Sequence, residues 1–423
     1  LTIPKTIVTI GAGSFSDWSK LTKLTISGNT LTSIGSKAFE NAALLADVYA
    51  EPTTAPAVQA DSFSGAGTSV QGSKTFHVAS VEAYSSWTTA ASGYTMEALG
   101  PDYLSEGLYY RASGEDPWKS EIPQTFTTLY VKTAGDNTVM TAEQMKAVAD
   151  AVKALATPAT VDFSEVVYES ETFPNSFKSN ANLAGIVFPQ NVTKTASAAF
   201  QKTGMTSVTL LKGISYGSNA FDSCASLVSV TVEEGVTEIG NYMFQNTKLT
   251  DVTLPNSVTK IGASAFNGCS LTTINFGQGV KTIENSAFQN CGELTEIILP
   301  DATETLGQNA FGDCPKLAKI SLGKNMKTLE AYCFVGYSKG CPLLGDIICR
   351  ATTPPTLKDD YGTGPFGGDW SPVAGKDVPA ENRIIHLPKS ADPVGGTGAY
   401  ADSSWVKLTS STYGFAFKYD VEG

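Results

Sequence analysis

A phenylalanine, usually preceded by a small residue, recurs at a nearly constant interval along most of this chain. The steps are 24 residues among the first three copies and 21 to 23 residues among the last eight. The eleven aligned residues are Phe15, Phe39, Phe63, Phe177, Phe200, Phe221, Phe244, Phe266, Phe288, Phe311 and Phe334. A unit this short cannot bury its own apolar face, so successive units must stack and share one core. The interval therefore predicts a solenoid rather than the roughly three globular domains that the chain length would otherwise suggest.

Each unit reads approximately L-x-x-I-x-L-P, a turn, V-x-x-I-G and then A-F-x-x-C. In the clearest copy, Val252 and Leu254 are two residues apart, which is the periodicity of a strand with alternate side chains facing the core. We expect every repeat phenylalanine to be a core residue. The glycine after the isoleucine, as at Gly240 and Gly262, is expected to supply backbone freedom for the bend into the next turn.

These recurring I-G-x-x-A-F-x-x-C and L-P elements resemble the BspA-like leucine-rich repeats of surface and secreted proteins from host-associated bacteria. The resemblance covers most of the chain. It implies a right-handed solenoid with parallel strands and a role in adhesion or partner binding, and it implies no catalytic site. We therefore predict a repeat solenoid, mainly β and leucine-rich-repeat-like, with short parallel strands, irregular turns and one notable helix around residues 141–156.

Two segments leave the repeat in the same way, one after Phe63 and one near the C-terminal end. Tyr84 and Trp87 follow a Thr-Pro-rich stretch in the first, and Tyr400 and Trp405 follow a similar stretch in the second. The last coil of a solenoid must cover the open core, and bulky aromatic side chains suit that purpose. The sequence therefore predicts two arrays, each with its own C-terminal cap.

The predicted organisation has two arrays and a connection between them. The first array spans residues 1–100 with its cap at 72–100, the connection spans 101–124, and the second array spans 125–423, with an irregular helix-bearing start at 125–165, repeats at 166–350 and a cap at 351–423.

The helix prediction comes from Thr141 and Gln144, which match a capping box, and from Pro158, which ends the run. The apolar residues on one helical face are Met145, Val148, Val152 and Leu155. Strand-like segments at 128–131 and 161–163 flank the helix, so the order suits a crossover between parallel strands. An amphipathic helix that binds a membrane or a partner is the alternative interpretation.

The seven cysteines follow the repeat. Cys224, Cys269, Cys291 and Cys314 each lie three residues after a repeat phenylalanine, and Cys341 joins them if residues 337–340 are an insertion. Other units place threonine, asparagine, alanine or tryptophan in this slot. Such a slot indicates a small, partly polar buried position, so we predict a ladder of free thiols. A single disulfide and a metal site are the alternatives, although no C-x-x-C spacing is present.

Few residues suggest catalysis. His77 and His386 are the only histidines and occupy the same position of the two predicted caps, which indicates a structural role. No G-x-S-x-G, H-E-x-x-H or phosphate-binding glycine motif accompanies them. The acidic loop from Asp359 and Asp360 to Asp369 could hold calcium, but it lacks the alternating ligand pattern and is read as a solvated loop. We therefore predict no catalytic residue, no cofactor, no metal and no enzymatic activity.

Charge and hydropathy limit the partners further. The formal net charge of −12 opposes the attraction to phosphate that drives nucleic-acid binding, and it disfavours anionic membranes. No apolar stretch is long enough for a transmembrane segment. The opening residues, Leu1 to Pro4, read as the end of a strand, so we expect a trimmed start that leaves room for a lipid anchor upstream. The predicted location is extracellular or on a bacterial cell surface, with a monomeric chain.

Strand alternation identifies the outward positions of the predicted sheet. Two adjacent columns contain Ser207, Thr209, Ser229, Thr231, Asp251, Thr253, Thr273, Asn275, Glu296, Ile298, Lys319 and Ser321, and they continue to Asp346 and Ile348. Solenoid sheets offer extended binding surfaces, so these columns are the candidate binding face. The simpler interpretation is that threonine and serine suit exposed strands. Loops at 335–341 and 356–376 are the alternative binding elements.

These observations favour a non-enzymatic extracellular or cell-surface protein that binds a protein or glycan ligand, as an adhesin does. A structural spacer within a larger surface protein is the first alternative. A hydrolase acting on polysaccharide is the second, but none of the 41 acidic residues stands out as a catalytic pair.

Overall fold

The computed structural model describes residues 1–4, 6–90, 92–99, 107–113, 116, 118–134, 138–336, 338–358, 363–368, 374–391, 399–400, 403–410 and 413–422. The fold is a β-solenoid of about 14 turns built mostly from parallel strands, so the predicted fold class is confirmed. The chain forms two compact units. One contains Leu1–Pro123 with Tyr130–Val139, and the other contains Gln124–Leu129 with Met140–Gly423. We retain the array boundaries inferred from the sequence as a proposal.

The first unit contains two parallel sheets and a hairpin-like pair. The larger sheet consists of Thr2–Ile3, Lys23–Ile26, Asp47–Ala50, Thr75–Val78 and Thr95–Ala98, in that order. The smaller sheet consists of Thr9–Ile10, Ser33–Ile34 and Ala57–Val58. Strand Gly107–Arg111 pairs antiparallel with residues 130–134 of strand Thr128–Ala134. A short 3-10 helix covers Ser85–Thr88.

One row of strands in the second unit contains the outward positions that strand alternation predicts. It contains Leu183–Val187, Ser207–Leu210, Ser229–Val232, Asp251–Thr253, Thr273–Asn275, Glu296–Ile298, Lys319–Leu322, Asp346–Cys349, Ile384–Pro388 and Ala416–Val421. Strand Ala159–Glu165 pairs in parallel with the first member of this row. Hydrogen bonding along the row is interrupted after Val187, Val232 and Asn275, which divides it into separate sheets.

The remaining strands of the second unit are short. They are Thr172–Phe173, Lys194–Thr195, Glu238–Ile239, Lys260–Ile261, Thr282–Ile283, Thr305–Leu306, Thr328–Leu329, Thr356–Leu357, Thr363–Gly364 and Gly367–Gly368. The six from Glu238–Ile239 to Thr356–Leu357 form one sheet of neighbouring coils. Three 3-10 helices cover Ala380–Asn382, Lys389–Ala391 and Ser404–Thr409.

The repeat phenylalanines form the centre of the core. From Phe200 to Phe334, successive rings stack with centroids 5.2 to 6.3 Å apart and planes within 19° of parallel. All of these rings are buried. The offset stacking of aromatic rings adds a specific contribution to the hydrophobic stabilisation. The column therefore fixes the register of neighbouring coils, as the repeat interval predicts.

In nine of the eleven repeats, the backbone is left-handed two residues to either side of the phenylalanine, whereas around Phe63 and Phe177 only the residue on the C-terminal side, Gly65 or Ser179, is left-handed. Around Phe244, Tyr242 and Asn246 both have φ of 56°. The expected role of the glycine after the isoleucine is wrong, because Gly262 is not in the left-handed region. A Cβ atom on Gly262 would instead lie 2.8 Å from the backbone nitrogen of Asn241 in the preceding coil. The glycine is needed because the two coils approach too closely for a side chain.

The predicted helix spans Ala142–Lys153 and begins with the expected capping box at Thr141. It ends before Leu155, which therefore lies outside the helical face to which the sequence pattern assigned it. Met145, Val148 and Val152 are fully buried. This contradicts the alternative of an amphipathic helix free to bind a membrane, since its apolar face is already packed in the core.

The two aromatic caps make the same hydrogen bonds to the Thr-Pro-rich stretches that precede them. The four bonds run from the Tyr84 hydroxyl to the Pro52 carbonyl at 2.9 Å, from Trp87 Nε1 to Pro56 at 2.8 Å, from the Tyr400 hydroxyl to Ala351 at 2.6 Å and from Trp405 Nε1 to Pro355 at 2.8 Å. All four aromatic side chains are fully buried. Each stretch thus offers two carbonyls, four residues apart, to one tyrosine and one tryptophan.

Candidate functional site

The two predicted outward columns exist and are in register. Within each sheet the pairs are Ser207 with Ser229, Thr209 with Thr231, Asp251 with Thr273, Thr253 with Asn275, Glu296 with Lys319 and Ile298 with Ser321. The intervening residues Val252 and Ile297 are buried, as strand alternation requires. Ten of the twelve predicted residues are exposed, and Lys319 is half-buried. We call these twelve residues the outward face; its binding role stays a prediction.

Ser321 departs from the predicted exposure. It lies in register between Ile298 and Ile348 on the flanking strands and is only 8% exposed. Its small side chain stands between two larger apolar ones, which cover it. Ser321 therefore contributes shape to the outward face and little contact surface.

A series of ion pairs links neighbouring strands in the C-terminal part of this row. Glu296 Oε1 is 3.3 Å from Lys319 Nζ, which is 4.0 Å from Asp346 Oδ2. His386 follows, with Nε2 3.5 Å from Asp346 Oδ1 and Nδ1 2.8 Å from Asp420 Oδ1. These pairs are partly exposed, so each contributes little to stability. Lys319 and Lys418 offset part of the negative charge of Glu296, Asp346 and Asp420 at this end of the face.

The two histidines have equivalent surroundings, as their positions in the sequence predict. His77 lies 3.3 Å from Asp47 and 4.0 Å from Glu97 on the flanking strands. His386 lies between Asp346 and Asp420 in the same manner. Partial burial acts to raise the pKa of Asp420, but hydrogen bonds from His386 and Lys418 hold that pKa below its usual value. Each imidazole thus bridges carboxylates of neighbouring strands, which is a structural arrangement.

A cleft opens where the row is first interrupted, between Leu183–Val187 and Ser207–Leu210. It has a volume of about 480 Å³ and is lined by apolar Val187, Phe188 and Val208 together with outward-face hydroxyls. We call it the first cleft. The pairing of Leu183–Val187 with its other neighbour shifts register at Ala184, which indicates a bulge beside the opening. Bulges bend a strand and often lie next to binding sites.

A second cleft, of about 450 Å³, lies at the interruption between Thr273–Asn275 and Glu296–Ile298. Ile298 forms part of its wall and is 59% exposed, the most exposed of the large apolar side chains in the described part of the chain. Arg350 also lines it, but its guanidinium is engaged by the Leu299 carbonyl at 2.8 Å and by Asp301 at 3.1 Å. The second cleft therefore combines an apolar wall with a cation that is already neutralised.

Sequence reasoning missed both clefts. The signal that could have revealed the first is the change in step around it, from 23 residues between Phe177 and Phe200 to 21 residues between Phe200 and Phe221. The same difference of two residues recurs between the 21-residue step and the 23-residue step that follows it, where Ser207–Leu210 and Ser229–Val232 stay in full register, so the step indicates the region without locating the opening. The step rises only from 22 to 23 at the second cleft, which gives a much weaker signal.

The cysteine slot is a column of thiols that bind backbone. Each thiol donates to the carbonyl of the phenylalanine one coil earlier. The Sγ to O distances are 3.1 Å for Cys224 to Phe200, 3.1 Å for Cys269 to Phe244, 3.3 Å for Cys291 to Phe266, 3.3 Å for Cys314 to Phe288 and 3.2 Å for Cys341 to Phe311. Cys341 thus occupies the slot that an insertion before it predicts.

The chemistry of these thiols is suppressed by their surroundings. All seven cysteines are buried and free. Burial raises the pKa of each thiol, to about 11 for Cys269 and to about 12 for Cys314. The thiolate is the nucleophile and the metal ligand, so a raised pKa makes these groups poor candidates for either role. Within the described residues, no group of three or more His, Cys, Asp or Glu side chains could hold a metal ion.

The alternative binding loops are only partly described. Asp313 holds residues 338–340, since its Oδ1 accepts from the backbone nitrogens of Ser338 at 2.9 Å, Lys339 at 2.6 Å and Gly340 at 2.9 Å. Tyr337 lies outside the described residues. The acidic loop considered for calcium, with Asp359, Asp360 and Asp369, also lies outside them. No helix in the described part of the chain is long and apolar enough to cross a bilayer.

Comparison with known proteins agrees with this repeat geometry. A family model described as the BspA type leucine-rich repeat region matches in six copies, over residues 1–71, 161–216 and 214–340. These segments make up more than half of the chain. The chain belongs to the BspA-type leucine-rich repeat family. The matched segments leave out both aromatic caps and the helix Ala142–Lys153.

Several solved structures of leucine-rich repeat proteins are similar to the chain. A leucine-rich cell surface protein from Faecalibacterium prausnitzii is 20% identical, with 82% of this chain and 86% of that chain covered and a TM-score of 0.34. A protein from Eubacterium ventriosum is 16% identical, with coverages of 82% and 91% and a TM-score of 0.32. The pneumococcal vaccine antigen PcpA is 16% identical, with coverages of 71% and 95% and a TM-score of 0.30. No curated protein matches the chain significantly.

Proposed function

We propose that this chain is a non-enzymatic interaction protein that works outside the cell or on a bacterial cell surface, as a monomer. Its ligand is a protein or a glycan, bound through the outward face. The observation that carries the proposal is the outward face itself, which is in register, mostly exposed and opened by two clefts of 480 and 450 Å³. Clefts of this size, with apolar walls and a few polar groups, are typical of binding sites.

The family supports this location, because BspA-like leucine-rich repeat proteins are bacterial surface proteins. The non-enzymatic part has separate support. All seven thiols are buried with raised pKa values, which disfavours the nucleophilic thiolate, and the equivalent placement of the two histidines between carboxylates of neighbouring strands supports a structural role for them.

A binding panel tests the proposal. The purified chain is passed over immobilised extracellular-matrix proteins and a glycan array, and each hit is titrated by surface plasmon resonance. Thr253→Lys places a charge in the middle of the outward face, whereas Thr259→Lys places the same charge on another exposed threonine of the same coil. We expect Thr253→Lys to weaken a true interaction about fivefold or more, and Thr259→Lys to leave it unchanged.

Two results would count against this assignment. If the two lysine variants have equal effects, the ligand does not bind at the outward face. Failure to bind any member of both panels would favour the spacer, in which the stacked coils only hold another domain away from the cell.

A further inference from the structure

The first cleft is a local opening between two coils that are otherwise joined. On one side of it, Gly204 approaches the Ala181 carbonyl so closely that a Cβ atom there would lie 1.9 Å from the oxygen. On the other side, the Thr195 N–H donates to the Ser215 carbonyl at 2.9 Å. Between these points, Leu183–Val187 and Ser207–Leu210 belong to different sheets. The opening is therefore bounded at both ends and has the length of one short strand.

The orientation of the backbone shows what the edge of Ser207–Leu210 offers. The Val228 N–H donates to the Thr206 carbonyl at 3.0 Å, and the Glu233 N–H donates to the Leu210 carbonyl at 3.1 Å. In a parallel pair, alternate residues direct their N–H and C=O groups to opposite sides of the strand. The backbone N–H and C=O groups of residues 206, 208 and 210 therefore face strand Ser229–Val232. Those of Ser207 and Thr209 face the first cleft.

Tyr216 closes one end of this edge. Its hydroxyl accepts from the Leu211 N–H at 3.1 Å and donates to the Thr209 carbonyl at 3.4 Å. Burial raises the pKa of Tyr216 to about 12, so the phenol keeps its proton at neutral pH and can serve as a donor. The edge groups left to a ligand are the N–H and C=O of Ser207 and the N–H of Thr209.

The walls of the first cleft are apolar or hydroxyl-bearing, and none of its lining residues is charged. Val187 is 43% exposed, and Val208 is half-buried although its counterparts Val252 and Ile297 are 2% and 1% exposed. Apolar surface is thus left open at this interruption. An uncharged lining in a chain of net charge −12 matches a neutral ligand better than an anion or a cation.

We propose that the first cleft binds an uncharged, extended peptide of four to six residues, which adds as a strand to the edge of Ser207–Leu210. This inference rests on the proposed function and names its ligand class. Four residues at about 3.3 Å each match the length of the edge strand. Backbone hydrogen bonds give affinity in this mode, and alternate side chains give specificity. Apolar side chains of the peptide pack on Val187 and Val208 while the others face solvent.

The probe is a hexapeptide of alternating threonine and valine, amidated at its C-terminus and labelled with fluorescein, titrated by fluorescence anisotropy. The control peptide has the same sequence with N-methylated valines, which removes alternate donors. Thr209→Pro deletes the N–H that faces the first cleft, and proline is tolerated at such an edge. Thr237→Pro is the control, at an exposed threonine that lies outside both the outward face and the lining of the first cleft. Val187→Lys is a second variant, which places a charge at the exposed edge of the first cleft.

The expected result is saturable binding that falls about fivefold or more in Thr209→Pro, in Val187→Lys and with the N-methylated peptide. Binding by Thr237→Pro should stay within about twofold of wild type. Circular dichroism and thermal unfolding show whether each variant folds. If Thr209→Pro does not fold, the effect of Val187→Lys on binding tests the proposal.

The proposal fails if the peptide shows no saturable binding at millimolar concentration, or if the N-methylated peptide binds equally well. It also fails if a neutral oligosaccharide such as maltohexaose competes with the peptide. A dimer in solution that Val187→Lys disrupts would likewise contradict it. The two proposals fail separately. If a panel ligand is lost in Thr253→Lys but kept in Thr209→Pro and Val187→Lys, the outward face binds it without the first cleft.

Discussion

The indole nitrogen of Trp405 donates a buried hydrogen bond to the carbonyl oxygen of Pro355 at 2.8 Å. Trp87 and Pro56 repeat this bond at the same distance in the first unit. The carbonyl oxygen of each of these prolines is buried and needs a donor, which the cap indole supplies. Each cap therefore closes the apolar core and satisfies buried backbone at the same time, which explains why the aromatic pair and the Thr-Pro-rich stretch occur together.

Removing the Tyr400 hydroxyl should lower the stability of the second cap. Tyr400→Phe keeps the ring in the core but leaves the buried Ala351 carbonyl without its 2.6 Å donor. We expect a loss of about 1–3 kcal/mol in the free energy of unfolding, because an unsatisfied buried acceptor loses its water as well as its partner. Urea denaturation followed by tryptophan fluorescence measures it. Tyr242→Phe, at a 40% exposed tyrosine, is the control and should change stability by less than about 0.5 kcal/mol.

The close approach of coils predicts opposite outcomes at two glycines. In Gly262→Ala, the added Cβ would lie 2.8 Å from the Asn241 nitrogen, so the coils must separate. We expect a loss of about 1–3 kcal/mol, as for overpacking in a core. Gly292→Ala meets no atom within 4 Å and should be neutral or stabilising by up to about 1 kcal/mol. Thermal unfolding of both variants measures the difference. Equal shifts in Tm would show that the close approach of the coils at Gly262 does not limit the side chain there.

The thiol column predicts a loss of stability at alkaline pH. Burial raises the pKa of the Cys314 thiol from its ordinary value of 9.0 to about 12. As pH rises, the unfolded chain therefore loses this proton before the folded one. The stabilisation is complete below about pH 9 and disappears between about pH 9 and 12, at about 1.4 kcal/mol per pH unit for one thiol.

Cys314→Thr isolates this contribution, because threonine occupies the same slot at Thr203 and Thr247 and binds the phenylalanine carbonyl of its own coil at 2.9 Å. Free energies of unfolding at pH 8, 9, 10 and 11 should fall less steeply for the variant than for wild type. Parallel curves would show that the Cys314 thiol has an ordinary pKa. Quantifying accessible thiols at pH 8 adds a check, since all seven should react only after denaturation.

Asp313 should control the order of the segment that follows Phe334. Its carboxylate accepts from three consecutive backbone N–H groups at residues 338–340. Asp313→Asn preserves the shape and tolerates the left-handed φ of 57°, but it removes the charge from these bonds. We expect a loss of about 1–3 kcal/mol and faster cleavage near residues 338–340 in limited proteolysis. Asp251→Asn, at an exposed aspartate, is the control, and an unchanged cleavage pattern in Asp313→Asn would contradict the anchoring role.

Much of the fold could be predicted because the same local pattern is repeated eleven times. Periodicity alone places Phe244 and Phe266 in one column, Val252 in the core, and Cys291 and Cys314 in one slot. The capping box at Thr141 depends on residues three apart, so it too is visible in sequence. The outward face follows from strand alternation, which is why its registers agree with the prediction.

Relations between coils were decided only by the tertiary structure. The sequence pattern marks Gly262 but not the Asn241 backbone against it, and it places Ser321 between Ile298 and Ile348 without showing that Ser321 is buried there. The first cleft depends on how a coil with a bulge at Ala184 packs beside a shorter one, across about 20 residues of chain. A repeat specifies the average coil, because each unit encodes its own contacts. Departures from that average depend on differences in length and packing between neighbours, and these are settled only when the coils stack.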